Sequence, residues 1–311
     1  MMNMTIPTIS LKKIDNKKEK LAIEIFDACM NVGFFSVKDH EVDISLIESV
    51  LHLSKNFFQK PLQKKMNYYI DGGAGQRGYT PFGVETAKNA HHPDQKEFWH
   101  HGRSNWDKEY ENTMPENLVV HELTGFNESL NELYNQLEKL GYKILSLISL
   151  GLELEEDWFK DKINQGNSIL RLIHYPKIEK NNMGIRAEEH EDINLVTLLF
   201  GTKQKGLEIL NNDAKWIPLA VSPETIVCNV GDMLERLTND KLKSTTHRVI
   251  NPRGDEAQHS RYSMPFFIHL NPDHIISTIP SCINRENKNK YEESITADNF
   301  LHERLKEINL K

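Results

Sequence analysis

"RAEEHEDINLVTLLF", residues 186–200, opens on charged side chains and closes on an apolar, β-branched run. Asn194 to Phe200 read as a core strand. Side chains two apart on a strand share a face, so His190 and Asp192 are expected side by side at the entrance of that strand. An imidazole and a carboxylate held together there suit a metal ion, but an H-x-D triplet is common, and a third ligand has to decide. "KSTTHRVINP" supplies it by placing His247 in mid-strand. Two imidazoles and one carboxylate, with positions left open on one face, form the donor set of non-haem Fe(II) sites that use oxygen. The same donors can also hold zinc with a hydrolytic water, so the chemistry stays open at this point.

Further along, "RYSMPFF" puts Arg261 and Ser263 on one strand face, and Phe267 shares it. A guanidinium fork matches a carboxylate, and the hydroxyl adds a donor. An inward Arg without an anion would be expensive, so Arg261 calls for a carboxylate ligand, which a zinc hydrolase leaves unexplained.

Outward from these motifs, the chain changes character at about Asn167. After it come short apolar runs between turn signals: "SILRLIHYP", "NLVTLLF", "GLEIL", "KWIPLA", "TIVCNVGDML", "STTHRVI" and "RYSMPFFIHL". Such spacing predicts an antiparallel sandwich or barrel. Before it, Leu21, Ala22, Ile25, Phe26, Cys29 and Met30 form a helical stripe that Gly33 ends, ahead of a strand over 34–37. Ser45 and Glu48 have capping-box spacing for a helix running to Phe58. Residues 71–114 read as loops and strands, 127–150 as a long helix and "LEEDWFKDKI" as another; "TADNFLHERLKEINL" reads as a final helix. The organisation is therefore a mixed helical region over 1–120, linking helices over 121–166, an all-β core over 167–285 and a C-terminal helix over 286–311.

The 311 residues carry a net charge of −7, against a nucleic-acid partner. The start lacks the apolar core of a secretory signal, and the apolar run "ILSLISLGL" is far short of a membrane span, so no membrane partner is expected. Cys29, Cys228 and Cys282 show no paired spacing, which suits free thiols in a reducing cytoplasm. No heptad or exposed apolar stripe assigns an oligomeric state. The pairs His91–His92 and His100–His101 are read as exposed loop residues, without a second metal.

Taken together, "HEDINLVTLL", "NVGDMLERLTNDKLKSTTHRVINP" and "RYSMPFF", with the prefix "ACMNVGFFSVKDH" and "FFQKPLQKKM", resemble the isopenicillin N synthase-like branch of the 2-oxoglutarate/Fe(II) oxygenases. The resemblance covers almost the whole chain. It implies a mostly β fold with flanking helices, a double-stranded β-helix (jelly roll) behind a helical N-terminal region. It further implies that His190, Asp192 and His247 bind iron, and that Arg261 and Ser263 bind the distal carboxylate of 2-oxoglutarate. The implied cofactors are Fe(II), 2-oxoglutarate as cosubstrate, and O2; the products include succinate and CO2. In similar enzymes a tyrosine on the "SILRLIHYP" strand can bond the oxo-acid carboxylate, which marks Tyr175.

Alternation along that strand sends Arg171 to the same face, where it could grip an acidic or polar small-molecule substrate. Phe267 could wall the pocket, and Phe98 and His100 fall in a segment resembling substrate-facing loops. Two rivals remain at this point: an iron oxidase that needs no 2-oxoglutarate, and a metal-binding protein without turnover. Hydroxylation, desaturation and cyclisation are not separable from sequence.

Overall fold

The computed structural model describes residues 6–88, 92–178, 184–200, 205–219 and 222–310. At the N-terminal end, β1 (Thr8–Ser10) lies parallel to β2 (Phe34–Lys38), with α1 (Lys18–Asn31) between them. The predicted stripe is the buried face of α1: Leu21, Ala22, Ile25, Ala28 and Cys29. Gly33 turns the chain into β2 at φ 73°, and a Cβ there would lie 2.3 Å from the Lys243 carbonyl oxygen. α2 (Ile44–Phe58) starts one residue before Ser45, because Asp43 is the cap and accepts a hydrogen bond from the Ser45 backbone N–H. The capping box expected at Ser45 and Glu48 is thus replaced by the better acceptor just upstream.

α3 (Leu62–Met66), β3 (Gly78–Thr80), β4 (Glu97–Gly102) and α4 (Phe126–Gly151) follow. Of the helix expected at "LEEDWFKDKI", only α5 (Lys160–Ile163) forms. Single turns closed by Trp158 N–H to Glu155 and Lys160 N–H to Asp157 precede it and seat Phe159 in the core.

The remaining chain supplies β5 (Ile169–Tyr175), β6 (Ala187–His190), β7 (Val196–Phe200), β8 (Leu207–Leu210), β9 (Trp216–Pro218), β10 (Ile226–Val230), α6 (Asp232–Leu237) and β11 (His247–Val249). Then come β12 (Arg261–Ser263), β13 (Pro265–Ile268), β14 (Ile275–Ile276), β15 (Ile295–Thr296) and α7 (Ala297–Glu307). The larger sheet runs β1-β2-β10-β7-β13-β5-β4-β3, with β12 also on β5; the smaller runs β6-β11-β8-β9. These two sheets make the jelly-roll core, and N-terminal strands complete one of them.

α4 lies on the outer face of the larger sheet. Gly141 allows the approach, since a Cβ there would come 2.3 Å from Ile268 Cδ1. Tyr134 meets Phe266 edge-on at 5.0 Å, and Phe57 of α2 stacks on Phe126 of α4. The outer face of the larger sheet is thereby sealed with apolar contacts, and its inner face is free to line a cavity.

Candidate active site

A cavity of about 910 Å3 is lined by the inner-facing residues of both sheets. Ile169, Arg171, Ile173 and Tyr175 of β5 all contribute to it, as the period-two reading of that strand requires.

At one wall, His190 ends β6 and His247 begins β11, as direct partners in the smaller sheet with ring centroids 4.4 Å apart. Asp192 is not on the same strand as His190. The core strand starts at Val196 rather than Asn194, and residues 191–195 carry the chain from one sheet to the other. Backbone bonds explain this. The N–H of Asp232 goes to the Asp192 carbonyl at 2.7 Å and that of Met233 to Asn194 at 3.1 Å, so the start of α6 takes the carbonyls a ladder would need.

The ligand atoms of His190, Asp192 and His247 nevertheless all lie within 4.8 Å of one another, and among the described residues this is the group able to hold a metal ion. His190 Nδ1 donates to the Glu188 carbonyl at 2.7 Å and His247 Nδ1 to that of Thr245 at 3.1 Å. Each bond fixes the tautomer and leaves Nε2 free. On Asp192, Oδ2 accepts from Thr197 Oγ1 at 2.5 Å and Asn229 Nδ2 at 2.8 Å, while Oδ1 lies 3.8 Å from His247 Nε2.

Burial, reinforced by His247, lowers the His190 pKa and keeps the ring neutral, as a ligand must be. Burial alone would raise Asp192; the two imidazoles and the bonds from Asn229 and Thr197 outweigh it and hold the carboxyl below its usual range. An oriented imidazole pair with one ionised carboxylate fits a ferrous ion.

At the far end, Arg261 is 3% exposed and pairs with Tyr175 in the β12–β5 ladder. Its guanidinium lies 5.1 Å from the Tyr175 ring centre, and its Nε and Nη1 have no hydrogen-bond partner. A buried cation with two idle donors is costly, and a carboxylate would satisfy both. Ser263 lines the same cavity.

Arg171 faces inward too, but its charge is engaged. Nε donates to His100 Nε2 at 2.5 Å, Nη1 lies 3.3 Å from Glu85, and the guanidinium sits between the rings of Phe98 and Phe267. His100 spends its other nitrogen on the Gly75 carbonyl, and burial holds its pKa well below the ordinary value. His100 and His101 are thus buried residues of β4 rather than exposed loop residues, because β4 is flanked by β3 and β5. His92 lines the cavity, and His91 lies outside the described residues.

Missed in the sequence is a charged cluster in the same wall: Lys96 Nζ lies 2.7 Å from both Glu85 and Asp94. Its members come from a segment without periodicity, and the D-x-K at 94–96 is its one local trace.

Residues 6–122 match the family described as non-haem dioxygenase in morphine synthesis N-terminal, and residues 166–270 match the 2OG-Fe(II) oxygenase superfamily. The 2-oxoglutarate-Fe(II) type oxidoreductase hxnY of Emericella nidulans is 31% identical over 293 residues, 88% of this chain and 81% of that protein. A crystal structure of a 2OG-Fe(II) oxygenase family protein from Caulobacter crescentus superposes with a TM-score of 0.90 at 42% identity, over 99% of this chain and 100% of that one. A full-length Neurospora crassa protein, crystallised in complex with alpha-KG and thymine, superposes at 0.86 with 28% identity, over 98% of this chain and 97% of that one. Sequence, fold and donor set converge: the chain belongs to the 2-oxoglutarate/Fe(II) oxygenases, and is a dioxygenase that uses Fe(II), 2-oxoglutarate and O2.

Proposed function

We propose that His190, Asp192 and His247 hold the ferrous ion, that Arg261, Ser263 and Tyr175 hold the distal carboxylate of 2-oxoglutarate, and that the wall around Arg171 receives a small polar molecule. The unpartnered Nε and Nη1 of buried Arg261, facing a cavity that also contains the three metal donors, carry this reading. Bound iron supplies the activation of O2 coupled to decarboxylation of the oxo acid. The protein's share is orientation. The two backbone carbonyls set the imidazoles, Thr197 and Asn229 reserve one oxygen of Asp192, and Arg261 fixes the far end of the cosubstrate.

For the substrate, charge balance in the wall supports a polar rather than an acidic molecule. Arg171 and Lys96 face Glu85 and Asp94, so no cationic charge is left over there. Phe267 would pack against its apolar part, while Phe98 and His100 support Arg171 from behind. Three buried, unpaired cysteines suit a reducing compartment, in keeping with a cytoplasmic enzyme. Among the described residues no helix is long and apolar enough to cross a membrane.

The experiment is an anaerobic titration of Fe(II)-loaded protein with 2-oxoglutarate, followed in the visible spectrum, with Arg261→Ala alongside. A saturating charge-transfer band that needs far more 2-oxoglutarate in the variant is expected. Bound iron without any band would reject the cosubstrate assignment.

A further inference from the structure

Among the described residues, most other buried cations have their counter-charges at hand. Lys65 faces Glu97, Lys96 faces Glu85 and Asp94, and Arg171 faces Glu85. Arg77 lacks a carboxylate, yet both its terminal nitrogens are bonded, to the Gln76 carbonyl and to Asn167 Oδ1. The end of the cavity around Tyr175 differs. Arg261 lies there with two idle donors, and a second arginine, Arg186, is 2% exposed on the approach to β6.

The Arg186 guanidinium lies 6.0 Å from the Tyr175 ring centre, against 5.1 Å for Arg261, so both flank one aromatic ring. Among the described residues Arg186 makes a single hydrogen bond, from Nη2 to the His259 carbonyl at 3.0 Å, and its Nε has no partner. No ion pair reaches either arginine among the described residues; besides the Tyr175 phenol, the acidic group that favours the Arg186 charge is Glu256, on the exposed turn Gly254–Gln258. Burial, and then the like charge of Arg261, push the Arg186 pKa down to about 10, still far above neutrality. Two buried positive charges thus share one aromatic ring with little among the described residues to offset them, an arrangement that an entering anion would relieve.

Resting on the cosubstrate reading above, we infer that Arg186 is a positioning residue for that cosubstrate: with Arg261 and across Tyr175 it forms a two-arginine field that holds the distal carboxylate and selects dicarboxylic 2-oxo acids over monocarboxylic ones. Arg186 does not itself line the cavity, so it acts through charge and through the ring it shares with Arg261. Its effect is therefore on the affinity of the cosubstrate's far end and leaves the reacting end untouched.

The test compares wild type with Arg186→Gln, Arg186→Lys and Arg261→Gln, each loaded with Fe(II) anaerobically. Thermal shifts are titrated with 2-oxoglutarate and with 2-oxobutyrate, which lacks the distal carboxylate. Arg186→Gln is expected to need about tenfold more 2-oxoglutarate for its half-maximal shift, the order of one lost charge near a buried anion. Its response to 2-oxobutyrate, and its kcat at saturating 2-oxoglutarate, are expected to stay at wild-type values, and Arg186→Lys to recover most of the lost affinity.

If Arg186→Gln responds to 2-oxoglutarate as wild type does while Arg261→Gln loses its response, the inference falls and the cosubstrate assignment stands. Equal weakening toward both acids would also overturn it, since that is the mark of general structural damage. If Arg261→Gln keeps full affinity, the cosubstrate assignment itself fails. Should Arg186→Gln not fold, Arg186→Lys decides: retained discrimination between the two acids supports the charge role, and its loss rejects it.

Discussion

Asn229 donates its side-chain amide to Asp192 Oδ2 across 2.8 Å, from β10 in the larger sheet to a crossover that leaves the smaller one. That bond, with Thr197 on the same oxygen, keeps Asp192 Oδ1 on the side of His247 Nε2. Partners of this kind typically contribute about 10–100-fold in metal affinity. Asn229→Ala is therefore expected to weaken Fe(II) binding by about that range, while Asp192→Ala removes it. Anaerobic iron titration measures both, and unchanged affinity in Asn229→Ala would make the bond incidental.

Gly231 sits beneath the same crossover. A Cβ there would come 2.3 Å from the Asn194 carbonyl oxygen and 2.8 Å from that of Asp192, both backbone atoms with little room to yield. Gly231→Ala is expected to displace the Asp192 segment, lowering iron occupancy and melting temperature together. Gly254 has a positive φ of 62°, but a Cβ added there would meet nothing within 4 Å, so Gly254→Ala should leave iron occupancy unchanged. Metal analysis of the two purified variants distinguishes crowding at the site from the general cost of losing a glycine.

Lys96 is buried between two carboxylates, with 4% of its side chain exposed. Removing one member of a buried charge group typically costs about 3–5 kcal/mol, because the remaining charges are stranded. Lys96→Met removes one of the two cations that hold the Glu85 carboxyl below its usual range and leaves Arg171 as the other, so the folded variant binds that proton more readily than wild type does. A depressed carboxyl stabilises the fold above its unfolded pKa and loses that contribution as pH falls, so the deficit against wild type should be larger at about pH 7 than at about pH 4. Urea unfolding at the two values checks the sign; an equal deficit would contradict it.

Glu235 accepts the backbone N–H of Ser244 at 2.9 Å, and burial is the main cause that raises its pKa to about 7. A carboxyl held above its unfolded value of ~4.3 binds its proton better when folded. Its contribution is complete at pH below ~4.3 and is lost as pH climbs through about 7. Glu235→Gln, which cannot ionise, should therefore gain stability relative to wild type between about pH 5 and about pH 8. Melting temperatures across that range would show parallel curves if the carboxyl did not titrate there.

Much of the candidate site is legible in the sequence because its signals are local. His190, Asp192, His247, Arg261, Ser263 and Tyr175 each stand in a short motif, and the alternation of β5 and β12 aims the last three at one cavity. The strand assignment of Asp192 fails, since a two-residue spacing cannot reveal that the chain changes sheets between 190 and 196. Glu85, Asp94 and Lys96 are invisible as a group. They lie in an irregular segment, and Arg171, which completes their charge balance, is far along the chain. The same holds for Asn229, whose partner is fixed by tertiary contact alone.

The placement of the three candidate metal donors has a mechanical consequence. Two hang from the smaller sheet and the third is gripped by side chains of the larger one, so a coordinated ion would act as a cross-brace that clamps the sandwich shut at its mouth. Whatever free energy the ion gains from its ligands is then shared with the packing of one sheet on the other.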